Sequence, residues 1–357
     1  MTSFMPLDTL FARSVSKSPT LHGRLHLMGE EAKILGKHQK HFQRIEEELQ
    51  KGLDSGVQLI QEVGRHSLMG PGKRLRPLFF VLCGELMGKE AESLYPLSIV
   101  FEYIHTASLL HDDVLDNAEL RRKKPAANVL WGNHAAVLEG DYLYSKAFSV
   151  AVSYGNLQLL KCLTETTTRM AEGQVLELLH TWDWEISPET YMEIIVAKTA
   201  VLLSAACACG GLAAGAGQRE VDSLAHFGLN MGIAFQLTDD LLDYASTREV
   251  MGKPVCKDLR EGKVTLPLIY TLAELDSRRR RSLLAPFSEI EPDRPKDREE
   301  KFQRVVELVR RNGALERVRM DAQKFVEKAA SYLGPLPEGP TKLALLELNS
   351  FILERSF

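Results

Sequence analysis

Two acidic runs of identical spacing, Asp112-Asp113-Val-Leu-Asp116 and Asp239-Asp240-Leu-Leu-Asp243, each follow an apolar stretch, and this constrains any fold the chain can adopt. Acids at i and i+4 lie one turn apart on the same helix face, so each run points two carboxylates in one direction. The approaches, Thr106-Ala-Ser-Leu-Leu and Gly232-Ile-Ala-Phe-Gln-Leu-Thr, suit helices buried in a core. Unpaired charge is costly there, so the acids should end at a cavity that holds cations. A single copy fits a solvated helix end equally well; the second copy turns the reading toward a metal. Hard oxygen donors in this number suit magnesium, which keeps part of its water and bridges carboxylates to phosphate oxygens.

The remainder of the chain reads as helix. Apolar residues recur at helical spacing, as at Phe42, Ile45, Leu49, Leu53 and Val57, and sustained β-type alternation is absent. Breaks fall at Gly70-Pro71-Gly72, Lys124-Pro125, Ser187-Pro188, Ala214 to Gln218 and Pro292 to Pro295. At 357 residues, 45% of them hydrophobic, the chain has enough apolar material for one large domain or two ordinary ones, and neither peripheral segment marks a place to divide it. We expect a single all-α domain over residues 1–357, with residues 1–30 as a peripheral extension and 276–300 as a charged connection. Its four arginines, Arg278 to Arg281, read as a solvated helix end. A net charge of −4, from 44 basic and 48 acidic residues in mixture, offers no field for nucleic acid. Five scattered cysteines lack zinc-site spacing and read as reduced core thiols. The N-terminus lacks a signal-peptide pattern, and no stretch reaches the roughly 18 apolar residues a membrane span requires, so the expected compartment is the cytoplasm.

Basic residues complete the pattern. Lys73 and Arg76 stand three apart after the glycine break at Gly72, as an anion-binding entry to a helix requires. Arg121-Arg122 closely follows the first acidic run; Lys198-Thr199, Lys253 and Lys263 come later. His105 lies about two turns before Asp112 and faces the same side, where it can donate to an anionic oxygen. Each alone reads as a surface ion pair or a satisfied core histidine. Beside two acid clusters they describe a diphosphate site.

With these motifs in order (GKRLRP at Gly72 to Pro77, HDDVLD with the two arginines at His111 to Arg122, KT at Lys198, FQLTDDLLD at Phe235 to Asp243, and GK followed by DLREGKVTLP), the chain resembles the trans-isoprenyl diphosphate synthases, the polyprenyl synthetase family, over nearly its whole length. The resemblance implies long helices around a deep central cavity, usually in a homodimer, with the two aspartate motifs facing each other across the mouth. It implies head-to-tail condensation of isopentenyl diphosphate with an allylic diphosphate, using three magnesium ions per site. Asp112, Asp116 and Asp239 would be the principal metal ligands, supported by Asp113, Asp240 and Asp243. Arg121, Lys198, Gln236, Lys253 and Lys263 would hold the allylic diphosphate, with Thr199 beside Lys198. Gly72, Lys73, Arg76, His105 and Arg122 would hold isopentenyl diphosphate. A terpene cyclase or head-to-head synthase, which shares the acids, would not need the Lys73, Arg76 and His105 set. A non-catalytic subunit of a heteromeric synthase would tend to lose an aspartate motif, and both are intact.

The chain departs from the family pattern at three places. Lys123-Lys124-Pro125-Ala126 replaces Gly-x-Pro-Thr/Ser, Pro71 replaces the first of two glycines, and Glu139 stands where a small or apolar residue is usual. Below Asp112, the positions four, five, eight and eleven residues earlier are Ser108, Ala107, Ile104 and Phe101. They should line the path of a growing tail. Short-chain members of the family tend to have aromatic residues at the first two positions. Here both are small, which implies a product of roughly thirty to forty carbons, octaprenyl-like, with geranylgeranyl or farnesyl diphosphate as alternatives. Phe101, Tyr144 or Phe148 would form the floor. Release of such a product could involve transient contact with a membrane.

Overall fold

The computed structural model describes residues 30–70, 72–245, 256–287 and 295–354. Most of the extension expected at residues 1–30, Pro71, Lys253 with Gly252, and residues 292–294 lie outside the described residues. The described chain is a bundle of helices: α1 (Glu30–Gly36), α2 (Gln39–Gly52), α3 (Gln58–Leu68), α4 (Leu75–Leu86), α5 (Tyr95–Leu115), α6 (Ala127–Ser153), α7 (Leu157–Leu179), α8 (Pro188–Ile195), α9 (Val201–Ala214) and α10 (Gln218–Ala245). The short α11 (Lys257–Arg260) follows, then α12 (Leu266–Ala273), α13 (Ser277–Leu284), α14 (Pro295–Arg311), α15 (Ala314–Leu333) and α16 (Pro340–Glu354). The break expected at Lys124-Pro125 is a minute antiparallel pair, β1 (Leu120–Arg121) with β2 (Lys124–Pro125). Polar residues set several boundaries. Asn156, Ser187 and Asp276 accept backbone N–H groups at the starts of α7, α8 and α13, each worth about 1 kcal/mol.

Helices α5 and α10 carry the aspartate runs, and α4 and α9 lie between them. Close packing here depends on small residues. A Cβ on Gly232 of α10 would sit 2.7 Å from Ala200 Cα, and one on Gly173 of α7 would sit 2.7 Å from Lys198 N. Pro188–Ala214 is apolar and long enough to cross a membrane, but 72% of it is buried within the bundle, as a core helix should be. Between α8 and α9 the helix widens into one π turn, Val196–Ala200, which carries Lys198 and Thr199. Such bulges free backbone groups and recur at functional sites.

Glu139 is buried on α6 at 2% exposure, and its Oε1 has no hydrogen-bond partner. A Cβ on Gly64 of α3 would lie 2.8 Å from that oxygen, so only glycine fits opposite it. Burial pushes its carboxyl up from 4.5 to about 7. Because the folded value is the higher one, folding carries no ionisation penalty below about pH 4.5, where both states are protonated. The penalty grows as pH rises through 7, reaching about 3 kcal/mol. Glu139→Gln should therefore stabilise the protein more at pH 8.5 than at pH 5. Urea unfolding at the two values checks this, and an equal difference at both would refute it.

Candidate active site

The first aspartate run closes α5, with Asp116 as its C-cap. Asp112 Oδ2 lies 3.9 Å from Lys198 Nζ on the π turn. Asp116 accepts from Lys263 Nζ at 3.1 Å. Lys263 follows the second aspartate run by only twenty residues, so this bond joins the ends of α5 and the α10–α11 region, as two motifs across one mouth require. Burial raises the Asp112 carboxyl, and Lys198 opposes that rise. For Lys263, burial alone would lower the ammonium pKa, but Glu177, Asp116 and Glu261 outweigh it and raise it.

The middle acid of each run is turned to a partner. Asp113 is buried and accepts both Nε (2.8 Å) and Nη2 of Arg121. Asp240 accepts from the Tyr191 hydroxyl and, at 2.7 Å, from Gln236 Nε2. Gln236 Oε1 in turn accepts from Thr199 Oγ1 at 3.1 Å. One chain of hydrogen bonds thus couples the KT pair to the second acidic run through Gln236. Asp243 accepts the backbone N–H groups of Lys257 (3.0 Å) and Asp258 (3.1 Å), which fixes the segment leading to Lys263. Burial pushes Asp240 up to about 7 and also raises Asp243 and Asp258. These crowded carboxylates call for further positive charge.

A second basic group stands on the α4 side. Arg76, Arg122 and His105 face one another, and burial followed by mutual repulsion lowers the pKa of His105; burial likewise lowers Arg76 and Arg122, opposed by Glu102. Arg76 Nε is buried without a partner, a donor an anion would satisfy. A Cβ on Gly72 would lie 2.8 Å from Arg122 Nη1 and 2.9 Å from Arg74 Nη1, so a side chain here would push one of the two guanidinium groups aside. Lys73 Nζ lies 5.9 Å from the centre of the Phe351 ring on α16.

Several expected residues sit differently from their sequence reading. Arg121 is engaged by Asp113, which leaves only its remaining donors for a ligand. Tyr144 stacks near His111, ring centres 6.0 Å apart, so it stands at the level of the mouth and not at the floor. The expected open path beneath Asp112 is closed. Ala107 and Ile104 are fully buried, and Phe101 packs on Phe80 with ring centres 5.3 Å apart. An apolar void of that length would forfeit dispersion contacts along its whole wall. A pocket opens instead between α4, α9, α10 and α16, against Arg76, Phe79, Thr199 and Phe235. Ser108 is half-buried and donates to the His105 carbonyl at 2.8 Å.

Three participants carry no sequence signal of their own. Glu177 of α7 accepts from Lys198. Tyr191 of α8 holds Asp240. Trp182, at φ 61°, donates its N–H to the Gly262 carbonyl at 2.8 Å and so steadies the residue before Lys263. It packs with Trp184 and Phe287, the Trp182–Trp184 ring centres 5.7 Å apart.

An all-α bundle that brings two aspartate-bearing helix ends together under two groups of cations defines the architecture of an isoprenoid synthase. The polyprenyl synthetase pattern matches residues 57–309, and the chain belongs to that family. It is similar to octaprenyl diphosphate synthase of Escherichia coli, 38% identical over 309 residues, covering 85% of this chain and 92% of that one. Its fold superposes on a Caulobacter crescentus polyprenyl synthase solved with calcium and isoprenyl diphosphate (TM-score 0.83, 35% identity, 92% and 98% of the two chains). Geranylgeranyl pyrophosphate synthetase from Pyrococcus horikoshii is equally alike in shape (TM-score 0.84, 28% identity, 92% and 100%). The protein is therefore an enzyme, a trans-prenyltransferase, and the reading as a non-catalytic subunit falls.

Proposed function

We propose that the protein condenses isopentenyl diphosphate head-to-tail with an allylic diphosphate, in a single catalytic domain, to make an all-trans product of roughly thirty to forty carbons. The observation that carries this reading is the division of cations into two groups. Lys198 and Lys263 sit against the aspartates, and Arg76, Arg122 and Lys73 sit on the α4 side with the neutral His105 beside Arg76 and Arg122. Two separate diphosphates are what such a division serves.

Among the described residues, no three carboxylate, imidazole or thiolate groups converge on one point. A cation here would complete its shell with water and diphosphate oxygens, which is how magnesium binds, and the buried, mutually repelling carboxylates fit that role. Asp112, Asp116 and Asp239 would hold three such ions, which neutralise the leaving diphosphate when bound. The Caulobacter synthase binds calcium with its isoprenyl diphosphate, which supports a divalent ion in this fold.

Lys198, Lys263, Gln236 and the remaining donors of Arg121 orient the allylic diphosphate and stabilise charge on it as the carbon–oxygen bond ionises. Gly72, Lys73, Arg76, His105 and Arg122 hold isopentenyl diphosphate so that its double bond meets the allylic cation. His105 is neutral in this surrounding and offers one N–H donor. The departing diphosphate takes the proton lost on bond formation, since the motifs supply no separate base. Apolar walls at Phe79, Leu203 and Phe235 keep water from the cation.

Exposed apolar rows on α6 (Leu130, Val137, Leu138) and on α7 (Val175, Leu178, Leu179) support a homodimer through these two helices, which pack on each other. Sedimentation equilibrium should give twice the chain mass; a monomer at micromolar concentration would exclude it. The buried candidate span fits a cytoplasmic enzyme whose contact with a membrane, if any, is transient.

Incubation with magnesium, labelled isopentenyl diphosphate and farnesyl diphosphate should give elongated products on chromatography after dephosphorylation. No elongation would eliminate the proposal. The tail must open its own path past the packed wall of Ala107, Ile104 and Phe101. Replacing Ala107 or Ser108 with Phe should shorten the product by several isoprene units, and an unchanged product profile would sink the assignment of these residues.

A further inference from the structure

Arg74 lies between two expected diphosphate ligands, Lys73 and Arg76, yet its guanidinium is held by groups of the protein itself. It is 2% exposed, the largest fully buried side chain among the described residues. Its backbone is left-handed, φ 48°, at the entry to α4, a conformation that non-glycine residues rarely adopt. Its guanidinium is fully engaged. Nε donates to Glu46 of α2 at 2.8 Å, Nη1 to Glu102 of α5, and Nη2 to the carbonyls of Leu68 and, at 3.2 Å, Gly70.

These contacts tie α2, the end of α3, the residues before Gly72 and α5 to the start of α4. The two carbonyls belong to the end of α3 and the turn just before Gly72. Glu102 stands one turn of α5 before His105, and its charge also acts on Arg76 and Arg122. Gly72 packs directly on the Arg74 and Arg122 guanidinium groups. A glycine would adopt the left-handed turn without strain but could make none of the side-chain bonds. That an arginine occupies the turn indicates that its side chain is needed there. Without it, buried Glu102 would lose the guanidinium that it binds.

We infer that Arg74 is the positioning residue of the isopentenyl diphosphate subsite: it binds no substrate, but ties Leu68 and Gly70 to α2 and α5 so that Gly72, Lys73, Arg76 and Arg122 form one cradle. It also satisfies Glu102, which would otherwise draw Arg76 or Arg122 away from the incoming diphosphate. This rests on the assignment of Arg76 and its neighbours to isopentenyl diphosphate proposed above.

The test is steady-state kinetics of Arg74→Gly, Arg74→Lys and Arg76→Gln, varying isopentenyl and farnesyl diphosphates separately with saturating magnesium. Arg74→Gly relieves the backbone and removes the fork. Arg74→Lys keeps a charge to compensate the glutamates, so the protein folds even where the glycine variant does not. Both should raise KM for isopentenyl diphosphate about ten-fold or more, the cost of a subsite displaced by a fraction of an ångström. KM for farnesyl diphosphate and kcat should stay within about two-fold, because the aspartate side of the mouth is untouched. A folded Arg74→Gly or Arg74→Lys variant with wild-type KM for isopentenyl diphosphate, or with kcat and both KM values changed alike, overturns the inference. If Arg76→Gln leaves that KM unchanged, the subsite assignment itself is wrong and the inference falls with it.

Discussion

Charge compensation at the ends of two buried helices governs this molecule. Asp112, Asp113, Asp116, Asp240 and Asp243 all stand at or near the ends of apolar helices, and apart from Gln236, which meets Asp240 from the same helix, the described partners come from other segments. Lys198 comes from a π turn, Arg121 from a two-residue strand, Lys263 and two backbone N–H groups from the segment after α10, and Tyr191 from α8. Burial makes every one of these pairings worth more than it would be in water, and makes every unpaired acid costly. The bundle's connections are therefore placed by the acids: the β1–β2 turn returns arginines to α5, and the loop after α10 returns a lysine to it.

Within each acidic run the three aspartates divide their work. The middle acid is consumed by structure, Asp113 by Arg121 and Asp240 by Tyr191 and Gln236. Asp243 is given to backbone N–H groups. Asp112 and Asp116 meet only lysine ammonium groups in the described structure, and an ammonium on a flexible stem can move aside far more easily than a forked guanidinium or a packed tyrosine. In the first run, the acids proposed to hold metal are thus the ones whose present partners are easiest to displace.

Much of this could be read from the sequence, and the reasons for what could not are specific. Helical periodicity gave the all-α reading, because a period is a local property, whereas the facing of the two aspartate runs came only with the family resemblance that the motifs carry. Gln236 was legible because it is embedded in the motif it serves. Glu177, Tyr191 and Trp182 were not, because an isolated Glu, Tyr or Trp on a helix or loop becomes a site residue only through a neighbour distant in sequence. Arg74 was in plain view within GKRLRP, but no pattern indicates that its guanidinium is taken up by Glu46, Glu102 and two backbone carbonyls. The path beneath Asp112 failed for another reason. Small residues at Ala107 and Ser108 were read as lining open space, whereas in the folded chain a small residue next to Ile104 and Phe101 is filled by its neighbours.

That last point bears on how such an enzyme can set a product length at all. A preformed tunnel would measure the tail by its depth. A packed wall measures it by resistance: each added isoprene unit must displace side chains whose mutual contacts it then replaces. Apolar contact is exchanged for apolar contact, so the net cost per unit is small until the tail meets a group that cannot yield. Ala107 has no rotamers to move, but it occupies little volume, and Ile104 can turn about its side-chain torsions. Phe101, locked against Phe80 in the core, has least room to move. Length would then be set by the first immovable ring the tail encounters, and small residues near the mouth matter because they put that encounter further down the helix.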